Sequence, residues 1–316
     1  MAIAGVAGGQ VAEDDAEVVE VAEPAVMSDL AVRSLLLDVE RAGDRLIVVG
    51  ERGHILTSDD HGATWTQSPV PTRVTLTGLD FADDATGWTV GHDAVILATD
   101  DAGATWRIVY SAPEDESPLL DVWFADANTG FAIGAYGTFL ETFDGGETWE
   151  ARWISESDSH LHQMVAAPDG TLYIAAERGE ILRSDDGGAE WVELPSPYEG
   201  SFFGVVTLPD DVVLVFGLRG HIFRSEDRGE TWTEIASGTV SMLTDGVLFD
   251  DGRIAIVGLG GTLLVSDDGG RSFELRQQPD RLGINAAVIA ADGALVVAGE
   301  GGVRRLPLDR GAAATD

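Results

Sequence analysis

Three observations predict an all-β chain folded as a seven-bladed β-propeller with four-stranded antiparallel blades. A short turn sequence recurs six times at nearly constant spacing. Each repeat holds four short apolar runs between glycine- and aspartate-rich turns, with no helical periodicity among them. A seventh repeat at the carboxyl end lacks its fourth run, and the amino end carries a spare one.

The turn is SDDHGATW, starting at Ser58. Its paired carboxylates and histidine resemble a reactive patch, but the chain repeats it as TDDAGATW, TFDGGETW, SDDGGAEW, SEDRGETW and SDDGGRSF. The closing aromatics Trp65, Trp106, Trp149, Trp191, Trp232 and Phe273 are 41, 43, 42, 41 and 41 residues apart. One active site is not copied six times at a fixed period, so the motif is architectural. Asp60, Asp101, Asp144, Asp186, Asp227 and Asp268 are expected to fold back onto backbone N–H groups, with glycine supplying a positive φ. The aromatic then tucks against the neighbouring strand.

In chain order, residues 1–16 form an acidic, alanine- and glycine-rich leader, either a plain flexible segment or the remnant of a trimmed signal peptide. EVVEVAE, residues 17–23, reads as a strand. Complete blades begin near Val32, Val74, Leu119, His160, Ser201 and Met242. The third shows the grammar best: strands are expected over residues 120–124, 131–133, 138–142 and 148–153, with GAYG as the turn between the second and third. A four-stranded meander repeated every ~42 residues is a propeller blade. The last repeat, INAAVIAADGALVVAGEGGVRRLPL, supplies three strands, and residues 17–23 are expected to complete it and close the ring. The propeller therefore spans 17–307, and 308–316 is a tail.

Composition narrows the function. The 316 residues carry 55 acidic and 19 basic side chains, a net charge of −36. All the basic residues are arginine. Such a chain repels nucleic acid and anionic lipid unless its arginines cluster. The acidity fits a solvated shell or a face that attracts a cationic partner. Cysteine is absent, which removes disulfides, thiol nucleophiles and cysteine metal sites. No run approaches the ~18 apolar residues of a membrane span.

The composite pattern G-x-x-G-x-[ILF]-x-x-S-x-D-x-G-x-T-W, running over residues 30–305, resembles the BNR/Asp-box propellers. Within these it is most similar to the photosystem II stability/assembly factor family, whose relatives also occur in non-photosynthetic bacteria. The resemblance implies a non-enzymatic scaffold or accessory factor for a membrane protein complex, with a transporter as one example. Photosystem II itself fits poorly with so acidic a chain. The family's habit implies a periplasmic or otherwise exported monomer that binds a membrane protein or its exported segment without inserting into the bilayer.

In such a blade the G-x-x-G turns and the interblade loops share one face, and the aspartate turns lie on the other. Three arginines, Arg52, Arg178 and Arg219, occupy one equivalent position on the G-x-x-G face. Together with Tyr136, His92 and Asp93, which sit in the same turns, they form the candidate partner site. Guanidinium is a planar donor fork suited to carboxylate or phosphate. The competing reading is that each arginine simply pairs with a neighbouring Glu51 or Glu177.

His160 and His162 alternate along one segment near Asp158, but no third or fourth metal ligand is assignable, so no metal site is expected. There is no P-loop and no lysine for Schiff-base chemistry, and no cofactor is expected. The alternative function, a glycan-binding or sialidase-type propeller, lacks an R-I-P stretch and any tyrosine beyond Tyr198. It would require an aromatic-lined cleft with two carboxylates on the G-x-x-G face, for which Tyr136, Tyr198, Phe202 and Phe203 are the candidates. No catalytic residue is assigned.

Overall fold

The computed structural model describes residues 23–306. Seven antiparallel sheets follow one another, each a simple meander in chain order. Blade one runs Leu36–Ala42, Arg45–Gly50, Ile55–Ser58 and Thr66–Gln67. The inner strands of the next six blades are Leu76–Phe81, Leu119–Phe124, Leu161–Ala166, Phe202–Thr207, Leu243–Leu248 and Ile284–Ile289. These starts lie within four residues of those read from the sequence. The outer strands are short, often two residues, because the aspartate turn and its aromatic occupy most of that hairpin.

The core is divided among seven interblade layers. Each apolar cluster draws on two consecutive blades, and one joins Leu36, Val39 and Val48 of blade one to Ala286, Val288 and Val296 of blade seven. Second strands such as Leu172–Ala176 and Val213–Gly217 are buried along their whole length, since they face a neighbouring blade on both sides.

The aspartate turns form as the sequence implies. The Asp60 carboxylate accepts from Ser58 Oγ at 2.8 Å, the Thr64 N–H at 2.8 Å and Thr64 Oγ1 at 2.6 Å, and Trp65 Nε1 donates to the Gly62 carbonyl. Asp101, Asp144, Asp227 and Asp268 repeat the set; Asp186 keeps the Ser184 hydroxyl but lacks the second one, because Glu190 stands where the others have threonine or serine. Trp106, Trp149 and Trp191 donate as Trp65 does, whereas Trp232 turns to the Pro195 carbonyl. The glycine before the aromatic is needed twice over. Gly188 has φ +93°, and a Cβ there would lie 2.4 Å from Phe131 of the preceding blade.

Residues 17–22 of the anticipated closing strand lie outside the described residues. Among the described residues blade seven has three strands, Ile284–Ile289, Leu295–Gly299 and Gly302–Leu306. The segment that follows the expected closing strand hydrogen-bonds to blade one. Ala25 N donates to Val70 O, Ser28 N to Gln67 Oε1, and Glu23 pairs with Arg73. Blades seven and one meet through the apolar layer, through Asn285 Nδ2 donating to Leu36 O at 2.9 Å, and through Arg305 Nη1 donating to His61 O at 2.7 Å.

Candidate functional site

In blades one to six the G-x-x-G turn joins the second and third strands with one 3-10 turn, and its central residue adopts left-handed backbone. Arg52, Asp93, Tyr136, Arg178 and Arg219 all have φ of 57–58°. Left-handed backbone at a residue with a Cβ costs roughly 1–2 kcal/mol, yet only the sixth blade uses glycine at its equivalent left-handed corner, Gly260. The following glycine explains the geometry. A Cβ at Gly53, Gly179 or Gly220 would strike the carbonyl of Thr72, Tyr198 or Thr239 at 2.1, 1.9 and 2.4 Å. The interblade loop therefore packs directly on the turn, and both belong to one face. The strained corner projects its side chain outward from that face.

The structure separates the three arginines. Arg178 pairs with Asp158 of the preceding interblade loop, not with Glu177. Arg52 and Arg219 are exposed and make no ion pair among the described residues. The expected pairing with Glu51 and Glu177 is absent because those carboxylates are committed to the backbone. Glu51 accepts from Leu35 N at 3.3 Å and Glu177 from His160 N at 3.4 Å, and Glu300 repeats the contact on Gly283 N. His92 and Asp93 are exposed, and the Asp93 carbonyl anchors Ala112 N.

The histidines do not converge on a ligand. Asp158 is held by Arg178, and the hydrogen bond and charge from that guanidinium depress its pKa. His162 packs on Phe203 with ring centroids 4.6 Å apart, and burial lowers its pKa to about 4. Among the described residues no group of three His, Asp or Glu side chains is arranged to hold a metal. Of the aromatics proposed for a glycan cleft, Phe202 is fully buried and Tyr198 packs on His221 at 4.4 Å. Only Tyr136 stands in the open, 57% exposed.

The central channel is the feature that sequence reasoning missed. Asp38, Glu40, Asp80, Asp121 and Asp245, with Gln163, line a cavity of about 290 Å³ on the propeller axis, and no arginine lines it. A β-bulge recurs in every inner strand after its first residue, skipping Leu37, Thr77, Leu120, His162, Phe203, Thr244 and Asn285. A bulge re-aims the next side chain, and here it turns position three of the strand toward the axis. Asp38 accepts from Leu79 N at 2.7 Å, Asp121 from Met164 N at 2.7 Å, Gln163 from Val205 N at 2.8 Å and Asp245 from Ala287 N at 2.8 Å. Blade two has Gly78 at that position, and Asp80 takes over by accepting from Phe124 N. The inner strands of blades one, two, three, four and six are thus laced to the next. Gln163 Nε2 also reaches Asp245 at 2.9 Å, bridging blades four and six.

Burial and mutual repulsion raise these acids. Burial, then Asp80, lifts Glu40 to about 8; burial lifts Asp80 to about 7. Asp38 and Asp121 are raised well above the carboxylate range, burial first and neighbouring carboxylates next, and burial raises Asp245. The acidity of the chain is therefore not all solvated shell.

A seven-bladed ring that exposes turns and interblade loops on its faces defines an interaction scaffold. The chain belongs to the photosynthesis system II assembly factor YCF48 family, whose model matches residues 18–114 and 111–250. Among solved structures it is similar to a YCF48 described as bound to a D1 peptide, with TM-score 0.72, 18% identity, and 91% of this chain and 97% of that one covered. YCF48 from Cyanidioschyzon merolae gives TM-score 0.69 at 18% identity, covering 86% and 94%. The virginiamycin B lyase from Staphylococcus aureus gives 0.76 at 13%, covering 89% and 96%. At these identities the structures share the fold. No curated protein matches the chain in sequence.

Proposed function

We propose that this chain is a non-enzymatic assembly or accessory factor that holds an exported segment of a membrane protein on its G-x-x-G face. The family supports an assembly role, and the YCF48 relative is described with a peptide of D1. The observation that carries the reading is the arginine corner. Three blades spend backbone strain to project Arg52, Arg178 and Arg219 from one equivalent position, and two of those guanidinium groups are unpaired among the described residues. An acidic stretch or a terminal carboxylate of the partner is the matching chemistry.

Membrane extracts of the source organism, passed over the immobilised full chain, should yield one retained membrane protein, identified by mass spectrometry. Its retention should fall between 50 and 300 mM salt, about the range over which exposed charges become screened. R52A/R178A/R219A should keep its Tm and lose most of the retention. Retention by the triple variant equal to that of the parent would remove the arginine face from the reading. The location follows the same proposal: a factor acting on an exported segment works on the exported side, and fractionation of the source cells checks it.

The glycan-acting alternative requires two carboxylates in an aromatic-lined cleft. The cavity beside Tyr136 has Tyr110 and Trp153 on its walls but a single carboxylate, Asp115. Turnover of a chromogenic glycoside, lost on mutating one carboxylate of this face, would favour that alternative.

A further inference from the structure

A second feature of the G-x-x-G face lies apart from the arginine corners. The loop joining blades two and three, the Tyr136 turn and the segment leaving blade three enclose a cavity of about 390 Å³. Four aromatic side chains line it: Tyr110 at the end of Arg107–Tyr110, Tyr136 at its left-handed corner, the buried Phe139, and Trp153 just beyond Glu150–Ala151. Trp153 is 74% exposed, the most open tryptophan or tyrosine among the exposed large apolar side chains. It is nevertheless positioned, because its ring edge lies 3.4 Å from where a Gly137 Cβ would stand. Asp115 completes the wall, and Glu114 and Glu116 flank it in the Pro113–Asp115 turn. That turn is pinned to the neighbouring G-x-x-G turn by Ala112 N donating to Asp93 O at 3.2 Å.

We propose that this aromatic and acidic cavity binds a cationic side chain, arginine or lysine, from a basic segment of a protein partner. An aromatic face attracts a cation through its quadrupole, and Asp115 supplies the opposing charge. The only cation on the wall is already engaged. Arg152 donates to the Ala189 carbonyl at 2.7 Å, pairs with Glu141 at 3.1 Å and lies over Phe139 at 5.2 Å. Its charge therefore does not oppose an incoming cation. The carboxylates also reach Tyr110, where burial first, then Asp115 and Glu114, raises the hydroxyl pKa. A neutral sugar fits less well, since the wall offers no asparagine or glutamine and no uncommitted arginine to bond its hydroxyls. The site is independent of the arginine-corner reading: opposite charges on one face would orient a partner that carries both signs.

The test uses the full chain and two seven-residue glycine/serine peptides, one with a central arginine and one with citrulline, which keeps the shape and loses the charge. Titrations are followed on the indole N–H resonances in two-dimensional NMR, with the Trp153 signal assigned from the Trp153→Ala variant. The arginine peptide should shift the Trp153 signal, and the citrulline peptide should not. Trp153→Ala and Asp115→Asn should each weaken arginine-peptide binding by roughly 3- to 30-fold, the span of a cation–π contact. In Trp153→Ala the peptide is followed by its own resonances, and an unchanged circular dichroism spectrum confirms the fold. R52A/R178A/R219A should bind the arginine peptide like the parent, which separates this site from the corners. Equal binding of the citrulline peptide, a response confined to other indoles, or a Trp153 shift produced by a neutral oligosaccharide alone would overturn the proposal.

Discussion

Glu40→Gln should stabilise the propeller at alkaline pH and leave it nearly unchanged at acidic pH. The sign follows from linkage: a carboxyl whose folded pKa is raised contributes stability that is complete below its unfolded pKa and lost as pH rises through the folded value. For Glu40 that window runs from 4.5 to about 8, and Asp80 loses its share from 3.8 to about 7. At about 1.4 kcal/mol per pKa unit, ionising Glu40 inside the fold costs about 5 kcal/mol. Channel water screens part of this, and Asp80 shares the mutual repulsion, leaving roughly 2–3 kcal/mol for Glu40 alone. Glutamine keeps an oxygen for the Arg41 N–H that Glu40 now accepts at 2.8 Å. With about 2 cal/mol/K of unfolding entropy per residue over 316 residues, the gain at pH 9 is about 3–5 °C in Tm. Calorimetric scans of both proteins from pH 5 to 9 read it directly. Repulsion among surface acids is not the cause of such a slope, since those groups are already ionised above about pH 5. A parent Tm that rises from pH 5 to 9, or an equal gain for Glu40→Gln at both ends, would refute the channel as its origin.

Gly188→Ala should destabilise the fold by roughly 2–3 kcal/mol or more, because it combines φ +93° with a Cβ 2.4 Å from Phe131. Gly187→Ala, at φ +75° with nothing within 4 Å of its Cβ, should cost only the left-handed strain, about 1–2 kcal/mol, and thermal melts of the pair check the difference. The aspartate turns should survive acid longer than the rest of the ring: hydrogen bonds to Thr64 and Ser58 hold Asp60 at about 2, so its contribution is present above 3.8 and lost as pH falls toward 2. Asp60→Asn should flatten the acid limb of the stability curve. Asn285→Ala removes the side-chain bond across the junction of blades seven and one and should cost about 1 kcal/mol, seen as faster amide exchange in Leu36–Ala42 and Ile284–Ile289.

The parts of this fold that were legible in the sequence are those set by local backbone demands. A turn with an aspartate cap, two successive left-handed residues and a closing aromatic has few spellings, so six copies declare themselves. The strand count, blade boundaries and division into two faces follow from that period and from alternation. The closing strand expected at residues 17–23 lies, but for Glu23, outside the described residues. Among the described residues the junction also carries side-chain bonds, Asn285 on Leu36 and Arg305 on His61, which have no periodic signature.

The channel acids were written in the sequence but required a frame to be seen. Aligned from Leu36, Leu76, Leu119, Leu161, Phe202, Leu243 and Ile284, the third position reads Asp, Gly, Asp, Gln, Gly, Asp, Ala. In a regular strand that residue would share a side with the first and point into an interblade layer, where a carboxylate would be prohibitive. The bulge breaks the alternation and delivers it to the axis, where the next blade's N–H waits. No pattern of apolar and polar residues predicts a bulge of this kind. Its consequence is that acidity serves two ends in one chain. On the axis, buried carboxyls whose pKa is raised lace blades together; at the rim, exposed ones such as Asp158 and Asp115 position a guanidinium or face a cavity. Two guanidinium groups, Arg52 and Arg219, stay clear of both arrangements among the described residues, and that isolation within so acidic a chain is what supports the proposed reading of the G-x-x-G face.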